Sequence, residues 1–172
     1  GWSLTNSASY SGSQSMRLIN HTGNPAGAVD AFITPTYNLT NITNAAVNFR
    51  LAFAVRSTNS SDQLKVYASN NCGSQWNVRY TNSGLNLTTA GLYSSYFTPT
   101  SAHWRLENIN LNTVAYNNKP SVRLKFEYNH DTGNNMYIDD INITGTPLVG
   151  IQDVEFLTSL TVAPNPARSN SF

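Results

Sequence analysis

Residues 134–145, NNMYIDDINITG, place two adjacent carboxylates, Asp139 and Asp140, inside a segment that otherwise alternates like a β-strand. Successive strand side chains point to opposite faces, so Tyr137, Asp139, Ile141 and Ile143 are expected on one face, and Ile138, Asp140 and Asn142 on the other. On that parity Asp139 turns inward with two isoleucines while Asp140 faces solvent. A carboxylate turned toward a sandwich core costs several kcal/mol unless it is paired, hydrogen-bonded or metal-bound. Calcium, a hard cation that takes carboxylate and carbonyl oxygens, is one resolution. Backbone N–H donors from a neighbouring loop are a second, and a position at the wet end of the strand is a third.

Other reactive constellations are missing from the sequence. The three histidines, His21, His103 and His130, lie far apart with no His-Glu-x-x-His helix among them, and no Gly-x-Ser-x-Gly elbow, phosphate-binding glycine loop or dinucleotide fingerprint occurs. His103, beside Trp104, reads as a surface turn residue rather than a general base. No pair among the nine acids is obviously spaced for glycoside hydrolysis. A single cysteine, Cys72, excludes an internal disulfide framework and a cysteine-rich zinc site. The chain is therefore expected to be non-catalytic. Its aromatic residues offer a different chemistry, since Trp2, Tyr93 and Tyr116 together with the ligand-binding candidates Trp76, Trp104 and Tyr96 could stack on sugar rings. The same residue types also fill cores.

The elements that must position these groups are strands. At 172 residues with 40% apolar and 11% aromatic content the chain can build one substantial core, and its Asn, Ser and Thr favour turns and β-structure over helices. Charged residues make up 11% and the formal net charge is +1, which supplies no overall basic field for nucleic acid or an anionic membrane. No run of about 18 apolar residues exists to span a bilayer, and any segment that exports the protein is not visible here. Period-2 alternation is clear in AVNFRLAFAV (46–55) and SVRLKFEY (121–128). It is weaker in SMRLIN (15–20), AVDAFIT (28–34), QLKVYAS (63–69), WNVRY (76–80), the YSSYF region (92–97), WRLENINL (104–111) and MYIDDINI (136–143). The apolar parity changes between Leu106 and Ile109, which predicts a bulge or bend. About nine strands separated by Asn, Gly, Ser and Pro turns predict an all-β, two-sheet antiparallel sandwich of the jelly-roll kind over 1–145. Beyond it, 146–159 reads as a linker and 160–172 as the beginning of a further domain.

The order of motifs carries a resemblance. SGSQSMRL, VDAFITPTYNLT, VNFRLAFAV, SDQLKVYASNNCGSQW, HWRLENINL, VRLKFEY and GNNMYIDDINITG resemble the MAM-like jelly-roll domain of secreted bacterial zinc metallopeptidases of the cytophagalysin, or pappalysin-like, group. Its most specific pieces here are Asp62, Leu64 and Val66 running into Cys72, Gly73 and Trp76, and the closing Tyr137 to Ile141. LTVAPNPA (160–167) resembles the opening of the C-terminal sorting domain used in type IX, or Por, secretion. The resemblance implies an extracellular accessory module, secreted or held at a bacterial cell surface, serving stability, substrate contact or adhesion beside the other domains of its parent protein. It also implies a structural calcium held by the first acid of the closing motif, Asp139, with Asp140 beside it and an acid of an N-terminal strand, for which Asp30 is the candidate. A carbohydrate-binding module with an exposed aromatic platform is the alternative. Expected partners are thus an extracellular protein or glycan.

Overall fold

The computed structural model describes residues 1–22 and 25–148. Numbered in chain order, β1 (Trp2–Thr5), β2 (Ser15–Leu18), β9 (Met136–Pro147), β4 (Ile42–Phe53) and β7 (Arg105–Asn110) lie side by side in that sequence in one antiparallel sheet. β3 (Val29–Ile33), β8 (Arg123–Asn129), β5 (Gln63–Ser69) and β6 (Asn77–Ser83) form a second, four-stranded sheet. Only β1–β2 and β5–β6 are neighbours in both chain and sheet; every other connection crosses between layers, as a jelly-roll sandwich requires. The two clearest alternating segments supply its centre. Val47, Phe49, Leu51 and Phe53 of β4 face Leu64 and Val66 of β5 and Leu124, Phe126 and Tyr128 of β8, all fully buried. Phe126 stacks on Phe32 at 4.9 Å between ring centroids and meets Phe49 edge-on at 5.2 Å.

Among the described residues nine strands form, but their membership differs from the expectation in two places. Trp2–Thr5 is an edge strand whose four residues were too short a run to register as periodic. The YSSYF region is not a strand. It belongs to a loop that carries Phe97 and Trp104 over the outer face of the five-stranded sheet, where they pack on Tyr137 and on Ala52 and Ala54, whose small side chains leave the space. This second small core closes part of that outer face.

The bulge expected in β7 is absent, because its ladder with β4 runs unbroken from Arg105 to Asn110. Arg105 and Glu107 share the inward parity of Ile109, joined by an ion pair of 2.6 Å, and Leu106 is the residue that faces out, at 53% exposure. Charge on an inward face and an apolar residue on an outward one reversed the pattern that periodicity relies on. β9 also extends two residues past Gly145, pairing Thr146 with Thr43 and Pro147 with Ile42. Most of the expected linker and the whole of 160–172 lie outside the described residues.

Candidate functional site

The bulge lies in β9, at the acid pair. Arg50 opposes Asp139, whereas Asn48 opposes Asn142, so Asp140 and Ile141 together face Phe49. Asp140 takes the left-handed conformation, φ 47°, that Asp and Asn tolerate better than most residues. The extra residue resets the parity. Ile138 is buried in the core, Asp139 follows Tyr137 to the outer face, and Ile141 and Ile143 pack against the core again. The inward assignment of Asp139 is therefore corrected: it does not share a face with the two isoleucines.

What holds Asp139 is a loop. One carboxylate oxygen accepts the Tyr10 N–H at 2.7 Å and the Ser11 N–H at 3.3 Å, the other accepts the Asp140 N–H at 2.8 Å, and Ser11 Oγ donates to Asp140 Oδ1. The Arg50 guanidinium lies 4.0 Å from the centre of the Tyr10 ring. The central strand β9 is thus tied to the β1–β2 connection by charge-assisted bonds. The bonds that hold the Asp139 carboxylate here come from N–H donors of the loop and of Asp140. Asp30 is on the other sheet, where His130 Nε2 is 2.8 Å from its carboxylate. Among the described residues no group of three or more His, Cys, Asp or Glu side chains is placed to hold a metal.

The three expected sugar-stacking residues separate as well. Trp104 is 9% exposed and belongs to the second core, so it is a packing residue. Tyr96, 42% exposed, stands edge-on to His21 in the loop beside that core. Trp76 lies on the opposite side of the molecule, over the four-stranded sheet.

That sheet presents an ordered, uncovered face. Register places Ile33, Lys125, Tyr67 and Val78 in one row across the strands, Ala31, Glu127, Lys65 and Thr81 in the next, and Val29, Asn129, Gln63 and Ser83 in a third. The first row is built rather than merely exposed. Lys125 Nζ sits 4.2 Å from the Tyr67 ring centre and 5.7 Å from that of Trp76, and bonds Glu127 at 2.9 Å, while the Tyr67 hydroxyl donates to the other Glu127 oxygen at 2.8 Å. Burial, with the Glu127 bond and charge adding to it, pushes the Tyr67 phenol up to about 12. Burial also works to raise the Glu127 carboxyl, but the Lys125 and Tyr67 bonds outweigh it and hold it below the usual value. Trp76 is positioned by its own loop: Ser69 Oγ accepts the Gly73 N–H at 2.9 Å, and a Cβ on Gly73, φ 94°, would come within 3.1 Å of the indole. The third row opens into a polar cleft of about 460 Å³ lined by Ser61, Gln63, Ser83, Asn129 and Asp131.

One further acid was not singled out as a site. Asp62 is fully buried, and its Oδ1 accepts from Asn20 Nδ2 at 2.7 Å, Tyr128 OH at 2.8 Å and the Asp131 N–H at 2.8 Å. Asn20 in turn bonds His130, which reaches Asp30. Burial and the Asp62 charge push the Tyr128 phenol well above its ordinary value. Asp62 opens the Asp-x-Leu-x-Val strand, and that strand signal marked it; nothing in the sequence showed that it joins β2, β3 and β8 at one end of the sandwich.

No family model matches the chain, and no curated protein matches it. Solved structures do. The K2 cleaved adhesin domain of Lys-gingipain superposes over 84% of this chain and 83% of its own with a TM-score of 0.56 at 19% identity. The K1 adhesin domain of the same protein from Porphyromonas gingivalis W83 gives 0.56 at 15% identity over 85% and 84%. The carbohydrate-binding module CBM27-1 of Caldicellulosiruptor saccharolyticus, solved with mannohexaose, gives 0.54 at 14% over 82% and 80%. At these identities the likeness establishes the fold alone, a two-sheet antiparallel β-sandwich.

Proposed function

We propose that the chain is a non-catalytic accessory module of a secreted or surface-held multidomain protein, and that its open four-stranded face binds a glycan. The observation that carries this is the difference between the two outer faces. Phe97 and Trp104 cover part of one, whereas the other displays Lys125 fixed over Tyr67 and Trp76, with polar Gln63, Lys65 and Asn129 beside it. Rings that hold a donor rigid beside side-chain amides, themselves joined by the Asn129 Nδ2 donation to Gln63 Oε1 at 3.2 Å, and a further ammonium group suit hydroxyl-rich ligands. The adhesin and carbohydrate-binding neighbours share the fold and support the reading. A zinc metallopeptidase parent delivered by type IX secretion rests on the motif order and on LTVAPNPA.

Retention of the purified chain on immobilised plant and bacterial polysaccharides tests the binding reading. Retention is expected on at least one of them, and Tyr67→Ala with Trp76→Ala should abolish it while Tyr96→Ala leaves it intact. The reverse pattern would move the site to the loop over the other sheet. Zinc-dependent cleavage of casein by the chain alone would overturn its non-catalytic character.

A further inference from the structure

The face has a charge of its own that the whole-chain value of +1 conceals. Lys65, Lys125 and Arg123 all point outward from β5 and β8, because the residues alternating with them, Leu64, Val66, Leu124 and Phe126, are buried in the core. Against these three cations stands one carboxylate, Glu127, and both of its oxygens are taken up by Tyr67 and Lys125. Arg123 turns toward the Cys72 carbonyl at the upper edge. Lys65 donates no hydrogen bond among the described residues. It lies opposite Glu127 on β8 and diagonal to Lys125, an offset of about 7–8 Å between such strand neighbours. The face thus offers one cation held upright by two rings and a carboxylate, and a second with all three of its N–H donors unused. Asp131, bonded by Ser61 at 2.7 Å and 2.8 Å, gives the far cleft the opposite sign.

The geometry points to an anionic glycan as the ligand of this face, with a carboxylate- or sulfate-bearing sugar residue seated between Lys65 and Lys125 and neutral hydroxyls toward Gln63 and Asn129. This inference rests on the glycan-binding reading above and narrows it to a class of sugar. Two ammonium groups at strand-diagonal spacing are matched by one anionic substituent. Glu127 offsets only one of the three cations on this face, so a neutral chain would leave a net positive charge unmatched, and Asp131 keeps a second anionic residue out of the cleft.

The test compares the full chain with Lys65→Met, whose melting temperature should match that of the wild type, on four probes: polygalacturonate, dextran sulfate, neutral galactan and poly-glutamate. The wild type is expected to prefer one of the two anionic polysaccharides over galactan, and which one it prefers identifies the group as carboxylate or sulfate. Loss of one charge-assisted bond in Lys65→Met should weaken that binding by about 10-fold or more, a clearly larger factor than any change on galactan. Raising salt should weaken the same binding in the wild type. Equal affinity for galactan and both anionic polysaccharides, unaffected by Lys65→Met, would overturn the anionic assignment and leave glycan binding standing. Poly-glutamate binding as tightly as either polysaccharide would overturn it as simple ion exchange. Binding to no polysaccharide at all would remove the glycan reading itself.

Discussion

Gly133→Ala should be among the most damaging single-methyl additions in the molecule, and its cost should depend on Asp62. A Cβ at Gly133 would lie 2.2 Å from Asp62 Oδ2 and 2.5 Å from Cγ. The glycine's backbone is not in the left-handed region, so space and not conformation decides the outcome. To clear the methyl the carboxylate must move by about 1 Å or more, since non-bonded heavy atoms prefer roughly 3.5 Å. That displacement breaks the bonds Oδ1 accepts from Asn20, Tyr128 and the Asp131 amide. Bonds to a charged group contribute about 1.5–3 kcal/mol each, and a partly retained set brings the expected loss to about 3–5 kcal/mol. Asp62→Ala should cost a similar amount by leaving the same three donors buried without an acceptor. With the carboxylate gone the added methyl enters vacated space, so in the Asp62→Ala background Gly133→Ala should cost less than about 1 kcal/mol. Urea unfolding followed by tryptophan fluorescence measures all four corners of this cycle. Additive effects, with a coupling below about 0.5 kcal/mol, would refute the claim that the glycine exists to admit the carboxylate.

Three other outcomes concern the acids, and a fourth the two tryptophans. Asp139→Asn should destabilise by about 1–2 kcal/mol because an amide group must face the Asp140 or Tyr10 N–H, and millimolar calcium should not shift the melting temperature of the wild type; a calcium-dependent rise abolished by Asp139→Asn would restore the metal reading. At the neighbouring position Asp140→Asn should stay within about 0.5 kcal/mol, while Asp140→Val, β-branched at φ 47°, should cost over about 1 kcal/mol. Glu127→Gln should lower the Tyr67 ionisation midpoint from about 12, followed by phenolate absorbance, since it removes the carboxylate charge that opposes deprotonation while the burial that contributes most remains. Because the Glu127 carboxyl is held low in the fold, its contribution is present above the unfolded-state value and fades as pH falls through the folded one, so variant and wild type should converge in stability in acid. Trp104→Ala should cost about 3 kcal/mol by emptying the second core, and Trp76→Ala on the open face much less, as thermal unfolding would show.

The sandwich was legible because its central strands obey simple alternation. QLKVYAS maps onto β5 residue for residue, and β8 and β4 lie where their Val, Leu and Phe periods put them. The acid pair was legible as an anomaly but not as a bulge, because parity counting assumes a regular ladder and one left-handed residue at Asp140 reverses every side chain after it. Trp104 was misassigned for a related reason. An indole before a strand looks the same in sequence whether it caps a ligand site or, as here, finds two alanines on a sheet to cover. The open face was half legible. Alternation alone sends Lys65, Tyr67, Lys125 and Glu127 outward, but only the pairing of β5 with β8, 60 residues apart at Tyr67 and Glu127, brings them together.

The strand order carries a temporal consequence. β9, the last in chain order of the strands among the described residues, sits between β2 and β4 in the middle of the five-stranded sheet. A ribosome working from the N-terminus therefore produces both flanking strands long before the one that joins them. Until residues 136–147 emerge, β2 and β4 each display an unpaired backbone edge, and the β1–β2 loop lacks the carboxylates that fasten it. Non-local pairing of this kind makes closure a late, all-or-none event with slow kinetics. A nascent chain stalled before Met136 would be a sticky intermediate, open to pairing with other chains. Completion of one short segment thus acts as the trigger that turns an open half-sheet into a sealed domain.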